Sequence, residues 1–383
     1  MELQEIVKAY DTDVQKGRRC ALATVVHVNG SSYRRPGARM LVNDEGMITG
    51  AISGGCLEGN ALQKALFAIA KQEPLVITYD TSDEEDRSIG VQLGCAGIIK
   101  VLFEPIHTAK ANNPIELIKK ALQNRQPSVL ITFYNLNNPQ NKLTGTYLIT
   151  DILDNAAVYK LTPATIQTLQ QDVDRCLATA LAQFTQCHVN EATVQCFIEW
   201  VPPVTKLVIA GAGNDAIPLM QMAELLGWKV AIIDGRYTHA KQERFSASCQ
   251  VTVTNAEAAF ETITVDAFTV FVLLTHNYNY DKAILRWLLP LTTPYIGVLG
   301  PKKKLNHMLQ DLKADGVEIT DDAIEKVYGP IGLEIGAETP EEIAISIIAE
   351  ILAALRKKPG GYLRTKATTI HQSTTNISVN DVV

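Results

Sequence analysis

The chain has 383 residues, a formal net charge of −6, 46% hydrophobic residues and 20% charged residues. At about 100–200 residues per domain that length calls for two or three domains, and the composition excludes a disordered chain. The acidic balance excludes broad electrostatic binding of nucleic acid, and seven cysteines without paired spacing exclude a disulfide framework and fit a reducing cytosol.

In chain order, Glu2 to Gly17 is predicted to be a helix, with Leu3, Ile6, Val7, Tyr10 and Val14 on one side. Met1 leads straight into it, without a signal segment, and no apolar run approaches the ~20 residues of a membrane helix. Strands are predicted at Cys20–Val28, in the stretch 38–46 and around 47–53, with a turn-rich loop, NGSSYRRPG, after the first. A glycine loop, SGGCLEGN, leads into a helix from about Leu57 to Lys71. Leu75–Asp80 and Ile98–Pro105 read as strands, on either side of an acidic loop. Ser128–Thr150 aligns without gaps on Cys20–Val42, with Leu22, Thr24, Asn29 and Gly37 recurring as Leu130, Thr132, Asn137 and Gly145. A duplicated half at 128–150 and two unrelated hairpins of similar composition both remain open.

Pro202–Pro203 mark a boundary between a first domain, 1–200, and a second, 204–358, followed by a polar tail, 359–383. The second domain alternates near-continuous apolar strands (Leu207–Ala210, Val230–Ile233, and two within 266–277 and 295–304) with helices, the pattern of a parallel sheet covered on both faces. A last helix begins at Thr339, with Pro340 at N1 and Glu342 at N3, a capping box.

Two glycine loops carry the chemistry. Gly211–Ala212–Gly213–Asn214–Asp215–Ala216 follows a strand and opens a helix, the GxGxxA form of the dinucleotide fingerprint, and lets a phosphate approach the helix N-terminus. Asp234, 21 residues after Gly213, stands where an acid holds a ribose hydroxyl. His276 lies at the carboxyl end of an apolar strand, the edge that lines the ligand crevice. Gly300–Pro301–Lys302–Lys303–Lys304 ends the next strand, and its lysines are either ligands or a solvated helix start. In the other loop Gly54–Gly55–Cys56 sets a thiol just before a helix, where free N–H groups favour a thiolate or an anion. The loop suits a nucleophile, a sulfur acceptor or a soft metal ligand; the alternative is a small residue packed in a tight turn. Glu58 is a base or an acid favoured by the first helical turn. Arg34, Arg35 and Arg39 can grip phosphate through guanidinium forks, or one or two of them are ordinary surface arginines. Cys95 is a second glycine-flanked thiol, 39 residues from Cys56, so no zinc signature exists, and packing is the favoured reading for it.

NGSSYRRPGARMLV, GAISGGCLEGN, LGCAGIIKVLFEP, LVIAGAGNDAIPLM with VAIIDGR, LLTHN, IGVLGPKKK and GPIGLEIGAETPEEIA, in this order, resemble the XdhC/CoxI family, over about Arg19 to Ala349. Its members are maturation factors of molybdenum hydroxylases such as xanthine dehydrogenase and carbon monoxide dehydrogenase. The resemblance implies an N-terminal α+β domain followed by a Rossmann-like doubly wound domain. It also implies a cytoplasmic, non-enzymatic chaperone that binds molybdenum cofactor (molybdopterin), supports its sulfuration and passes it to an apo molybdenum hydroxylase. A cysteine desulfurase and a second copy in a homodimer are the further partners implied. The family's cysteine falls on Cys56, which would contact the metal end or its sulfur. Arg34, Arg35 and Arg39 would lie near the phosphate, with Gly54, Gly55 and Cys95 beside them. Gly211, Gly213, Asp234 and His276 would line the Rossmann side of a cleft between the two domains. Two departures stand out: Ala96 replaces a glycine after Cys95, and Gly300–Pro301–Lys302 replaces Gly–Ser–Arg. The rival readings are an NAD(P)-dependent oxidoreductase, favoured by the glycine loop and Asp234, and a thiol hydrolase using Cys56 with His27 or His276.

Overall fold

The computed structural model describes residues 2–30, 32–80, 97–136, 138, 143–189 and 192–366. The acidic loop after Asp80, Cys95, the repeat residue Asn137 and the tail beyond 366 lie outside the described residues. The chain divides into two compact units, Glu2–Pro203 and one that begins at Val204.

In the first unit the elements are α1 (Glu2–Gln15), β1 (Cys20–Gly30), β2 (Arg39–Asn43), β3 (Ile48–Gly50), α2 (Glu58–Lys71), β4 (Leu75–Asp80), β5 (Gly97–Pro105) and α3 (Pro114–Gln123). They are followed by β6 (Ser128–Tyr134), β7 (Gly145–Leu148), α4 (Ile149–Asp154), α5 (Pro163–Thr179), β8 (Gln183–Val189) and β9 (Ala192–Val201). Two antiparallel sheets result, in the orders β3-β2-β1-β5-β4 and β7-β6-β9-β8. β1 is apolar almost throughout because both of its faces are covered. Ala21, Ala23 and Val25 pack with Ala61, Ala65 and Ala68 of α2, while Cys20 and Leu22 pack with residues of α1 and α3. On α1, Ile6 and Tyr10 are buried as the spacing predicts, but Val14 at the expected stripe's end is exposed.

The order β2-β1-β5-β4 recurs as β7-β6-β9-β8. The hairpin registers nevertheless differ by one residue: Thr24 pairs with Arg39, fifteen positions on, whereas the aligned Thr132 pairs with Thr146, fourteen positions on. The sheets meet through Val26, Leu102, Tyr134 and Phe197, and through polar contacts that run from one sheet to the other. Thr146 N–H donates to Glu104 at 3.1 Å, and Arg39 forks onto Glu199. Within the second sheet Cys196 donates to Cys187 at 3.0 Å, both thiols buried.

The second unit contains β10 (Lys206–Ala210), α6 (Ala216–Leu225), β11 (Lys229–Asp234), β12 (Gln250–Val253), α7 (Ala259–Thr262), β13 (Thr269–Leu273) and α8 (Tyr278–Leu288). β14 (Ile296–Val298), α9 (Lys302–Ala314), α10 (Asp321–Glu325), β15 (Val327–Tyr328) and α11 (Pro340–Leu355) complete it. Its six strands are all parallel, in the order β12-β11-β10-β13-β14-β15. This is the doubly wound order of dinucleotide-binding folds, with its switch point between β10 and β13. α6 and α11 cover one face, and α8 and α9 cover the other. The Thr339–Glu342 capping box forms as predicted: Glu342 N–H donates to Thr339 Oγ1 at 3.3 Å and Thr339 N–H to Glu342 Oε2 at 3.0 Å. Among the described residues no helix is long and apolar enough to cross a membrane.

Candidate functional site

The loop from β3 to α2 places Cys56 directly before the helix, half-buried, with Leu57 as the N-cap residue. Gly55 takes φ +106°, a left-handed conformation that a side chain would strain. Gly54 lets the Tyr33 ring lie on the loop backbone, since a Cβ there would stand 3.2 Å from that ring. Tyr33 therefore brings the arginine-bearing loop after β1 against the thiol loop.

Ser53, which sequence reasoning misses, organises this turn. Its buried hydroxyl accepts from the N–H groups of Gly55 (3.2 Å) and Leu57 (3.1 Å) and lies 3.3 Å from Cys56 Sγ. The same hydroxyl donates to Glu58 Oε2, and Ser53 N–H donates to Glu58 Oε1 at 2.8 Å. Burial pushes the Glu58 carboxyl up, but hydrogen bonds from the Ser53 hydroxyl and from backbone N–H groups outweigh it and hold the group below the usual glutamate range. Glu58 is therefore an ionised acceptor that fixes Ser53, and a weak base. The signal available in sequence is a serine three residues before the cysteine and an acid two after it, a local capping pattern.

The arginines separate in role. Arg34 is half-buried and ion-paired with Glu2, while Arg35 is exposed at the loop surface. Arg39 corrects the expectation of a phosphate grip. Its side chain is 0% exposed, and its two terminal nitrogens donate to Glu199 at 2.6 and 3.1 Å. A bidentate carboxylate already fills the fork.

In the second unit the structure brings the glycine loop and His276 together at the switch point. Gly211 takes φ +123°, and a Cβ on it would stand 2.5 Å from the Leu274 carbonyl oxygen, so the loop can sit against the end of β13 only with glycine there. Gly213 lies against Asp215, whose carboxylate is 3.1 Å from His276 Nε2. The helix start thus holds a carboxylate of its own.

Asp234 departs from its expected role on ribose. Oδ1 accepts from Arg236 N–H (2.8 Å) and Arg236 Nε (3.0 Å), and Oδ2 accepts from Ala212 N–H (2.8 Å) and Arg236 Nη2 (2.6 Å). Four donors fill the four acceptor positions of a carboxylate. Burial pushes Asp234 up, yet these hydrogen bonds prevail and hold it below the usual aspartate range. Arg244 is a further cation at this loop, donating to the Ala212 carbonyl (2.6 Å) and Asn214 Oδ1 (2.8 Å). Neither Arg236 nor Arg244 carries a local sequence signal. In the Gly300–Lys304 segment, Lys304 pairs with the buried Asp281 at 2.8 Å, which in turn accepts from Thr275, while Lys302 and Lys303 are exposed. Among the described residues no group of three or more His, Cys, Asp or Glu side chains could hold a metal ion.

Residues 14–80 match the family model described as the XdhC and CoxI family, and residues 207–351 match the XdhC Rossmann domain. Together these spans cover more than half of the chain. The chain is 28% identical to a probable xanthine dehydrogenase subunit of Bacillus subtilis, over 91% of this chain and 96% of that one. It is 22% identical to the molybdenum cofactor insertion chaperone PaoD of Escherichia coli, over 88% and 84%. A crystal structure described as a xanthine dehydrogenase from Bacillus halodurans superposes with a TM-score of 0.70 at 26% identity, covering 94% of this chain and 98% of that one. The thiol loop and the glycine loop thus lie within matched spans, and the chain belongs to the XdhC and CoxI family.

Proposed function

We propose that this protein binds molybdenum cofactor as cargo and delivers it to an apo molybdenum hydroxylase. Family membership and a relative named as a molybdenum cofactor insertion chaperone support the reading. The observation that carries it is the half-buried Cys56 thiol, set on a double-glycine turn and held by Ser53 against an ionised Glu58. A thiolate is a soft ligand and a sulfur nucleophile, suited to the metal end of such a cargo or to its sulfur. A cysteine desulfurase would supply the sulfur, and the protein would act in the cytoplasm as a homodimer. Arg35, on the loop that Tyr33 packs against the thiol turn, would supply positive charge for the cargo's phosphate, while Arg34 is already paired with Glu2.

The rival readings are weaker on the same geometry. A nicotinamide cofactor would need a free acceptor for its ribose, and Asp234 has none. A thiol hydrolase would need a histidine on the thiol, and among the described residues none is in hydrogen-bond contact with Cys56.

The test is purification of the full chain from cells that make the cofactor, with oxidised-pterin fluorescence and molybdenum measured on the product. Both should accompany the protein. Cys56→Ser should keep the fold by circular dichroism and abolish activation of an apo-hydroxylase; full activation by that variant would overturn the role of Cys56.

A further inference from the structure

Among the described residues four large aromatic side chains are exposed: Tyr33, Phe67, Tyr237 and Tyr362. Two of these rings already face a cation. Lys71 Nζ stands 5.9 Å from the Phe67 centroid, and the Arg364 guanidinium stands 4.8 Å from that of Tyr362. Tyr237 belongs to the second unit, after β11. Tyr33 is left beside the thiol loop, 66% exposed.

The Tyr33 ring is seated on that loop. A Cβ built on Gly54 would stand 3.2–3.3 Å from three of its carbons, Cγ, Cδ1 and Cδ2. Near-equal distances to these three place Gly54 under the face of the ring, since Tyr33's own Cβ blocks an in-plane approach to Cγ. Gly54 has no left-handed backbone to require a glycine, unlike Gly55; what it supplies is room for the ring. One face of Tyr33 therefore lies on the thiol loop, and the other is turned to solvent.

The thiol borders the same surface. Two Cα steps of about 3.8 Å lead from Gly54 to Cys56, so those Cα atoms are at most about 7.6 Å apart. Both groups are open to a ligand, Tyr33 exposed and Cys56 half-buried. A molecule that engages both must carry a flat π-face and, a few bonds away, a soft metal or sulfur. A pyranopterin is built this way, with fused rings that end in a dithiolene.

We propose that Tyr33 is the stacking platform for the fused rings of the cargo, with their dithiolene end directed at Cys56. The choice of a pterin rests on the cargo reading above; the demand for a flat ring rests on Tyr33 alone. An electron-rich phenol ring and an electron-poor pterin favour offset stacking, beyond the burial of their two faces. Stacking needs the ring and not the hydroxyl, so phenylalanine should serve at this position and leucine should not.

The experiment is a fluorescence titration with pterin-6-carboxylate of the full chain, unmutated and as Tyr33→Phe and Tyr33→Leu. Leucine keeps an apolar side chain on Gly54 and removes the π-face, which separates stacking from loop packing. Tyr33→Phe should bind within about twofold of the unmutated chain, and Tyr33→Leu about tenfold more weakly. Pterin at ten times its Kd should slow alkylation of Cys56 by iodoacetamide about tenfold in the unmutated chain. Without ligand, Tyr33→Leu should be alkylated at the unmutated rate. No binding at millimolar pterin, equal affinity in Tyr33→Leu, an equal loss in Tyr33→Phe, or alkylation indifferent to the ligand would each overturn the proposal. A changed alkylation rate in unliganded Tyr33→Leu would reassign Tyr33 to loop packing, and tighter binding of adenosine monophosphate would overturn the choice of a pterin. Cofactor that co-purifies equally with Tyr33→Leu, while Cys56→Ser still blocks delivery, removes the platform and leaves the cargo reading. Ring-dependent pterin binding without any co-purified cofactor does the reverse.

Discussion

Replacing Glu199 by alanine should strip the bidentate carboxylate from a fully buried guanidinium. In the native fold Arg39 has both terminal nitrogens on Glu199, at 2.6 and 3.1 Å, and a further bond from Nη1 to the Gly37 carbonyl at 3.0 Å. Its Nε has no partner among the described residues even now. After the substitution one carbonyl would remain for a charge that cannot reach water. Breaking a buried pair by removing one member costs about 3–5 kcal/mol, because the uncompensated charge stays inside. In a unit of about 200 residues, at about 2–4 °C per kcal/mol, the thermal midpoint should fall by roughly 6–20 °C. Urea and thermal unfolding followed by circular dichroism measure the free-energy loss and the midpoint shift, with Arg39→Met combined with Glu199→Leu as the companion variant. The double variant should recover most of the loss, since replacing both charges by apolar groups of similar size is close to neutral. A loss below about 1 kcal/mol for Glu199→Ala, the range of an exposed pair, would refute the reasoning and return Arg39 to the set of ligand-facing cations.

Gly211→Ala should destabilise the second unit by about 1–3 kcal/mol, because φ +123° and the Leu274 carbonyl at 2.5 Å from the new Cβ are both unfavourable; a thermal midpoint equal to that of the unmutated chain would argue that the loop relaxes freely. Glu104 gives a pH dependence of stability with a definite sign: its folded value of about 7 lies above its ordinary value of 4.5, so its contribution is full below 4.5 and lost as pH rises through 7. Glu104→Gln should therefore gain stability relative to the unmutated chain at pH 8 compared with pH 5, and urea midpoints that shift equally at the two pH values would count against it.

Much of the fold is legible in the sequence because the relevant signals are local. The apolar run Leu75–Asp80 ends between turn residues and forms β4 with the predicted bounds, and the strand–glycine–helix pattern at Gly211 marks the Rossmann unit. The capping box at Thr339 needs only four residues of sequence. β8 is harder: the exposed Gln186 and His188 alternate with the buried Cys187 and Val189, so no continuous apolar run marks it. In the candidate site, Cys56 and its glycines can be read directly, since the turn is built from neighbours. The fate of Arg39 cannot, because its partner lies 160 positions away and only the packing of one sheet on the other joins them. The saturation of Asp234 by Arg236 is equally hidden, although the two are only two residues apart, since nothing local says which way an arginine at a strand end will fold back.

The hydroxyl of Ser53 is oversubscribed. It has one proton to give and two lone pairs to offer, yet it faces a carboxylate, two backbone N–H groups and a thiol. A thiol that donated here would make three donors for two acceptor positions. A ligand that captures the sulfur as thiolate removes one competitor and leaves each backbone N–H with its own lone pair. Capture and tightening of the turn are then thermodynamically linked, and by reciprocity a tightened turn raises the affinity for whatever holds the sulfur. An occupied thiol would thus tighten its own turn through the lone pairs of a single oxygen atom.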